Sequence, residues 1–173
     1  MTNLLIISST RNTNFELSNE IKDYYKKLDN IKSSLISLED FELPLYTPTL
    51  EENFKEKKSF PDNISLIKQR LLDSDAIIWC SPEYNGGISP ILTNVIAWIS
   101  RTTTDWKEGF QDKHSLICTS SGGNGNNFIK GFSLQLNYLG SLVMERSIIK
   151  TKKNDFKKEE FQDILDEFYK KIS

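Results

Sequence analysis

Short apolar runs alternate along this chain with longer stretches whose apolar residues recur at helical spacing. Leu4-Leu5-Ile6-Ile7 is continuous and without period, the mark of a strand covered on both faces. A small polar loop, Ser8 to Asn14, follows it. Leu17, Ile21, Tyr24, Tyr25 and Leu28 then fall on one face of a helix. Leu35 to Leu38 predicts a second strand. Phe41 to Asp62 carries three of the five prolines and many charges, which predicts a long irregular connection. Ile64, Ile67, Leu71 and Leu72 mark the next helix, and Ala76 to Cys80 a third strand. Ser81 to Gly87 breaks that strand sharply, and Pro90 suits the first turn of a helix running to about Arg101. That helix is apolar nearly all round (Ile91, Leu92, Val95, Ile96, Trp98, Ile99), which predicts deep packing or contact with another subunit. Ser115 to Thr119 is a fourth strand and Ser120 to Asn126 a loop. Phe128, Ile129, Phe132, Leu136 and Leu139 mark the helix after it. Leu142 to Met144 predicts a fifth strand. Lys150 to Lys158 holds five lysines diluted by Asp155 and the glutamates that follow, and reads as a solvated linker. Phe161, Ile164, Leu165, Phe168 and Ile172 define a closing amphipathic helix.

Five strands alternating with five helices predict a parallel sheet with right-handed crossovers and helices on both faces. The class is three-layer α/β, and the natural order for five such strands is 2-1-3-4-5. The polar and glycine-rich loops follow strands one, three and four, so they share the carboxyl edge of the sheet. The long proline-containing connection after strand two lies on that edge too. Ligands of such sheets bind there, where the strand order reverses.

At 173 residues the chain suits a single domain over 1–173. Lys+Arg is 22 against Asp+Glu 24, a net charge of -2, which supplies no general drive toward nucleic acid or anionic membrane. The apolar runs are too short to span a bilayer and no signal peptide is evident, so a cytoplasmic protein is expected. Cys80 and Cys118 are too few for a disulfide framework or a four-ligand metal site. His114, the only histidine, precedes the fourth strand at the end away from the loops. No metal is expected, and chemistry borrowed from a non-metal cofactor fits these shortages.

Each loop admits two readings. Ser9, Arg11 and Thr13 stand before a helix whose first N–H groups are unpaired, which suits a phosphate monoester. The same segment suits a plain cap by Thr13 or Asn14. Pro82-Glu83-Tyr84-Asn85-Gly86-Gly87 offers a ring, an amide and exposed backbone to a flat heteroaromatic ligand, or is simply a tight turn. Gly122 and Gly123 allow a planar ligand to approach the backbone, or make a flexible connection.

The stretch Ser81-Pro82-Glu83-Tyr84-Asn85-Gly86-Gly87-Ile88-Ser89-Pro90-Ile91-Leu92-Thr93-Asn94-Val95-Ile96-Ala97-Trp98-Ile99-Ser100-Arg101 resembles a known pattern. That pattern is P-E-Y-N, a short gap, P, then L-K-N-x-I-D-W and S-R. It belongs to the NAD(P)H-dependent FMN reductases of the flavodoxin-like superfamily, the group containing quinone, chromate and azo-compound reductases. Leu43-Pro44-Leu45-Tyr46 and the serine–arginine loop are also similar to theirs. The resemblance implies a flavodoxin-like fold with an FMN phosphate held by Ser9, Arg11, Thr13 and Asn14. It places the isoalloxazine against Pro82, Glu83, Tyr84, Asn85 and Gly86, with Ser120, Gly122 and Gly123 closing the other side. It implies hydride transfer from NAD(P)H through FMN to quinone-like or other small electron acceptors, with the flavin carrying the chemistry and no catalytic acid or base. It further implies a homodimer or homotetramer.

The chain departs from the pattern at several positions. Ser8, Asn14 and Glu16 stand where glycine, serine and asparagine are frequent, and Gly87, Thr93 and Ala97 replace serine, lysine and aspartate. A carboxylate at Glu16 repels a dianion if it points inward. Glu83 alternatively pairs with a cation at a subunit interface, and Arg101 suits either a nucleotide phosphate or a neighbouring subunit. Two further readings stand beside the reductase. One is an FMN-binding electron carrier of flavodoxin type, against which the small net charge weighs. The other, motivated by Asn14 and Glu16, is a relative that has lost flavin binding.

Overall fold

The computed structural model describes residues 1–152 and 157–173. Its strands are β1 (Thr2–Ser8), β2 (Ile31–Ser37), β3 (Ala76–Cys80), β4 (His114–Ser121), β5 (Leu142–Val143) and β6 (Ile148–Thr151). Its helices are α1 (Thr13–Tyr25), α2 (Pro48–Glu56), α3 (Asp62–Leu72), α4 (Pro90–Thr102), α5 (Asn126–Tyr138) and α6 (Lys158–Ile172), with a 3₁₀ turn at Leu38–Asp40. Every strand pair is parallel, and the order is β2-β1-β3-β4-β5, the flavodoxin-like order expected.

The absence of period in the central strands has a direct cause. Leu5, Ile7, Ile77, Trp79 and Ile117 point to one core, shared with α3, α4 and α5. Leu4, Ile6, Ile78, Leu116 and the two cysteines point to the other, shared with α1 and α6. Both faces are covered, so every position must be apolar. Cys80 and Cys118 are register partners, buried and unbridged, and burial raises the Cys118 thiol well above its usual pKa. His114 begins β4 at the amino edge, as expected.

Three sequence expectations need correction. The connection from Phe41 to Asp62 is not irregular, because it contains α2, which makes six helices among the described residues. Pro48 occupies the first turn, where its missing N–H costs nothing, and the Thr47 hydroxyl accepts the Leu50 N–H at 3.2 Å. Leu50 and Phe54 pack onto the core, with the Phe54 ring 5.7 Å from Trp98. The fifth strand is also divided. β5 pairs only with His114 and Ser115, and the chain then leaves the ladder. It returns as β6 along Cys118 to Ser121, because fully buried Ile148 fills the core beside Cys118. Lys150 therefore lies in a strand rather than a linker, 3.1 Å from the Glu20 carboxylate. Residues 153–156 of the expected linker lie outside the described residues.

The apolar helix α4 is packed by its own chain. Leu92, Val95, Ile96, Trp98 and Ile99 are buried, and the Trp98 indole donates to the Pro44 carbonyl at 2.7 Å.

Candidate functional site

Ser8, Cys80 and Cys118 are level in the sheet, so the chain leaves β1, β3 and β4 along one edge. The ladder continues slightly past the strands, with the Ser9 N–H on the Cys80 carbonyl at 2.8 Å. The Ser81 N–H likewise reaches Cys118 at 3.1 Å. Beyond Cys80, β3 no longer pairs with β4, which exposes the β3 side of Ser120. There the Asn14 amide takes the place of a strand. It donates to the Ser120 carbonyl at 2.9 Å and accepts the Ser120 N–H at 2.7 Å. Asn14 is fully buried, so its polar atoms hold the loops and face no ligand.

Two further ties join the loops. The Ser9 hydroxyl donates to Ser81 at 2.8 Å, and Ser81 to Ser89 at 3.1 Å, all three being fully buried. One Glu83 carboxylate oxygen accepts the N–H groups of Asn127 at 2.9 Å and Phe128 at 3.0 Å. These are orphan donors in the first turn of α5, whose cap position is Gly125 in the left-handed region and supplies no side chain. Glu83 thus caps a helix that begins 43 residues after it.

With these groups engaged, others face outward. Tyr84 and Gly87 exchange main-chain hydrogen bonds at 3.0 and 3.2 Å, and between them Asn85 and Gly86 have φ of 51° and 71°. Those values define a type I′ turn, for which Asn-Gly is the favoured pair. The tip therefore presents the N–H groups of Asn85 and Gly86, while Tyr84 is 44% exposed. Across the edge, space is open where a Cβ on Gly122 would stand. Pro82 is buried under the turn, and Gly123 lies beside the Glu83 carboxylate.

The first loop is built differently from its sequence reading. Asn12, not Thr13 or Asn14, caps α1, its side chain accepting from the Asn14 N–H and the Thr10 hydroxyl. Thr13 is exposed at the first helical position, and Glu16 is exposed one turn on. Arg11 is tied to the turn after β2. Its guanidinium forks onto Asp40 with both distances 2.6 Å, and its N–H donates to Glu39 at 2.7 Å. The hydrogen bond and charge of Asp40 raise the Arg11 pKa further, and the guanidinium also lies 5.2 Å from the Phe15 ring.

Sequence reasoning passed over two sets of residues. Asn94 and Trp98, which carry the N and W of the signature, pin the second-strand loop. The Tyr46 N–H donates to the Asn94 side chain at 2.8 Å, and Asn94 and Trp98 both donate to the Pro44 carbonyl. The other set is Glu39 and Asp40, which nothing in a local pattern links to a loop near residue 11. Each site residue of the sequence reading thus lies at the carboxyl edge, split between those that tie the loops and those that face outward.

Residues 1–155 match the family model of NADPH-dependent FMN reductase. An NADPH:quinone oxidoreductase of Arabidopsis thaliana is 35% identical over 83 residues, covering 48% of this chain and 38% of the plant protein. Curated relatives are matched over about half of their own length or less. Among solved structures, FerB of Paracoccus denitrificans, a flavoenzyme NAD(P)H:(acceptor) oxidoreductase, superposes with a TM-score of 0.79. It is 18% identical, with 99% of this chain and 97% of that one covered. A flavodoxin from the domain Archaea superposes at 0.65 with 12% identity, covering 98% of each chain. At such identities these two likenesses describe the fold alone. The family model, spanning all three edge loops and agreeing with the strand order and the P-E-Y-N turn, places this chain in the NADPH-dependent FMN reductase family.

Proposed function

We propose that the carboxyl edge binds FMN and that the protein passes reducing equivalents from NAD(P)H to a small oxidised acceptor of the quinone type. The observation that supports this most is the pre-shaped turn at Tyr84–Gly87, held level with an open glycine edge at Gly122. The donor set suits a flavin. The Asn85 and Gly86 N–H groups would hold the polar rim of a planar heterocycle, the Tyr84 ring would shield part of it, and Thr13 with Arg11 would hold its phosphate. FMN, when bound, supplies the hydride chemistry. The chain's own part is to bind, to orient and to hold water off one ring face. Ser9, Asn14 and Glu83 serve by fixing the loops.

The exposed Trp106, Leu134 and Tyr138, beside a cleft of about 420 Å³ between α4 and α5, offer a surface for the expected homodimer or homotetramer. Light scattering tests that point.

The visible spectrum of the purified protein with added FMN tests binding, and stopped-flow bleaching by NADH and NADPH tests turnover. A perturbed flavin band that either nucleotide bleaches is the expected result. Absence of binding at micromolar FMN removes the reading. Binding without bleaching by either nucleotide replaces it with an electron carrier.

A further inference from the structure

We propose that Glu39 is an internal stand-in for the flavin phosphate, so that FMN binds in exchange for this carboxylate and gains little over riboflavin from its phosphate. The proposal rests on the flavin-binding reading above.

Arg11 is the only cation between Ser8 and Asn14, and its N–H lies in the turn that leads into α1. Both are already satisfied by anions of the same chain. Glu39 accepts the N–H at 2.7 Å, and Asp40 takes the guanidinium fork at 2.6 Å on each arm. These carboxylates belong to the 3₁₀ turn that ends β2, and β2 is the neighbour of β1 in the sheet, so the backbone itself carries them to the loop. Glu16 adds a third carboxylate, exposed on the first turn of α1. One guanidinium against three carboxylates leaves the loop with a formal charge of -2 before any phosphate arrives.

The two partners of Arg11 act differently. The Asp40 fork uses Nε and Nη2 and leaves Nη1 for a second anion, so Asp40 orients the guanidinium. Glu39 uses the single main-chain N–H of Arg11. A phosphate at the loop must displace Glu39 from that donor or remain one hydrogen bond short, and it meets the Glu39 charge in either case. Riboflavin lacks the phosphate and engages only the Tyr84–Gly87 and Gly122 side, so Glu39 leaves it unaffected.

Flavin fluorescence titrations of wild type, Glu39→Gln and Glu39→Ala with FMN and with riboflavin read this directly. Glu39 and Asp40 are exposed, so the variants keep the fold, which circular dichroism checks. The expected result is a tightening of FMN by about tenfold at low salt in both variants, with riboflavin changed by less than about twofold. A parallel shift of both flavins, or no gain for FMN, overturns the proposal. Amide chemical shifts of Arg11, Asn12 and Thr13 under inorganic phosphate give a second, flavin-free reading. Glu39→Ala must respond at lower phosphate than wild type, and an equal response in the two proteins refutes the exchange. Should wild type bind neither flavin, the flavin reading falls, while the phosphate titration still decides the part played by Glu39.

Discussion

Replacing Glu83 with alanine removes the side-chain acceptor that serves two N–H groups in the first turn of α5, leaving only the Asn124 side chain on the Asn126 N–H at 3.1 Å. One carboxylate oxygen there serves Asn127 at 2.9 Å and Phe128 at 3.0 Å, and Gly125 at the cap position has no side chain to compensate. A missing N-cap costs about 1 kcal/mol, and a hydrogen bond to a charged group contributes roughly 1.5–3 kcal/mol. The Asn127 end is exposed, so water replaces part of the loss. An overall cost of about 2 kcal/mol follows, or ~4–8 °C in Tm for a chain of this size. Glu83→Gln keeps an oxygen in place and forfeits chiefly the attraction of a full negative charge to the helix N-terminus, about 0.3–1 kcal/mol. Urea denaturation of the two variants gives the totals. Hydrogen exchange at Asn127 and Phe128 localises them, since fraying of the first turn of α5 exposes those amides before the rest of the helix. A loss under ~0.5 kcal/mol in the alanine variant, with unchanged exchange at both amides, would refute the capping role.

Asn14→Ala leaves both main-chain groups of Ser120 without their partner at a fully buried residue, and a loss of about 2–3 kcal/mol is expected in the same denaturation assay. Gly125→Ala places a Cβ 2.7 Å from Thr119 Cγ2 at a φ of 70°, so left-handed strain and overpacking together should cost about 3 kcal/mol. The ammonium of Lys55 and the hydroxyl of Tyr46 hold the Glu51 carboxyl below its usual value of 4.5, so its stabilising effect is complete above that pH. Glu51→Gln is accordingly less stable than wild type at pH 7, by roughly 1 kcal/mol, and the gap in melting curves should close as acid protonates Glu51 through its depressed pKa.

The strands were legible because a strand buried on both faces must be apolar at every position, and Leu4 to Ile7 and Ala76 to Cys80 obey that rule. The connection before α3 misled for a physical reason. Prolines and charges commonly break helices, but Pro48 directly after Thr47 is a start signal for α2. The short β5 is marked by the apolar run Leu142 to Met144, whereas β6 offers only Ile148 and Ile149 before Lys150 and Thr151, too brief an apolar run to read as a strand. The Asn85-Gly86 turn was readable from its dipeptide. Which hydroxyl or amide faces a ligand was not, since that depends on contacts far apart in the chain. Ser9 is spent on Ser81, 72 positions away, and Asn14 on Ser120, 106 positions away. A polar residue in an edge loop has the same local signature whether it ties the loop or faces the ligand.

The ties have a consequence for the site as a whole. The Ser9–Ser81 bond joins the first loop to the second, Asn14 joins the first to the end of β4, and Glu83 joins the second to the start of α5. The three loops therefore form a closed triangle of contacts. Removing one side leaves each loop still connected to both others, directly or through the third. A single cut thus lowers stability while leaving the outward groups, Tyr84, Asn85 and Gly122, nearly where they were. Removing both Asn14 and Glu83 detaches the third loop from the other two, and only then do the turn and the glycine edge lose their fixed separation. Stability losses for that pair should be close to additive, because the two ties share no atom. Flavin affinity should fall by more than the product of the single effects, because preorganisation is lost with the second cut and not with the first.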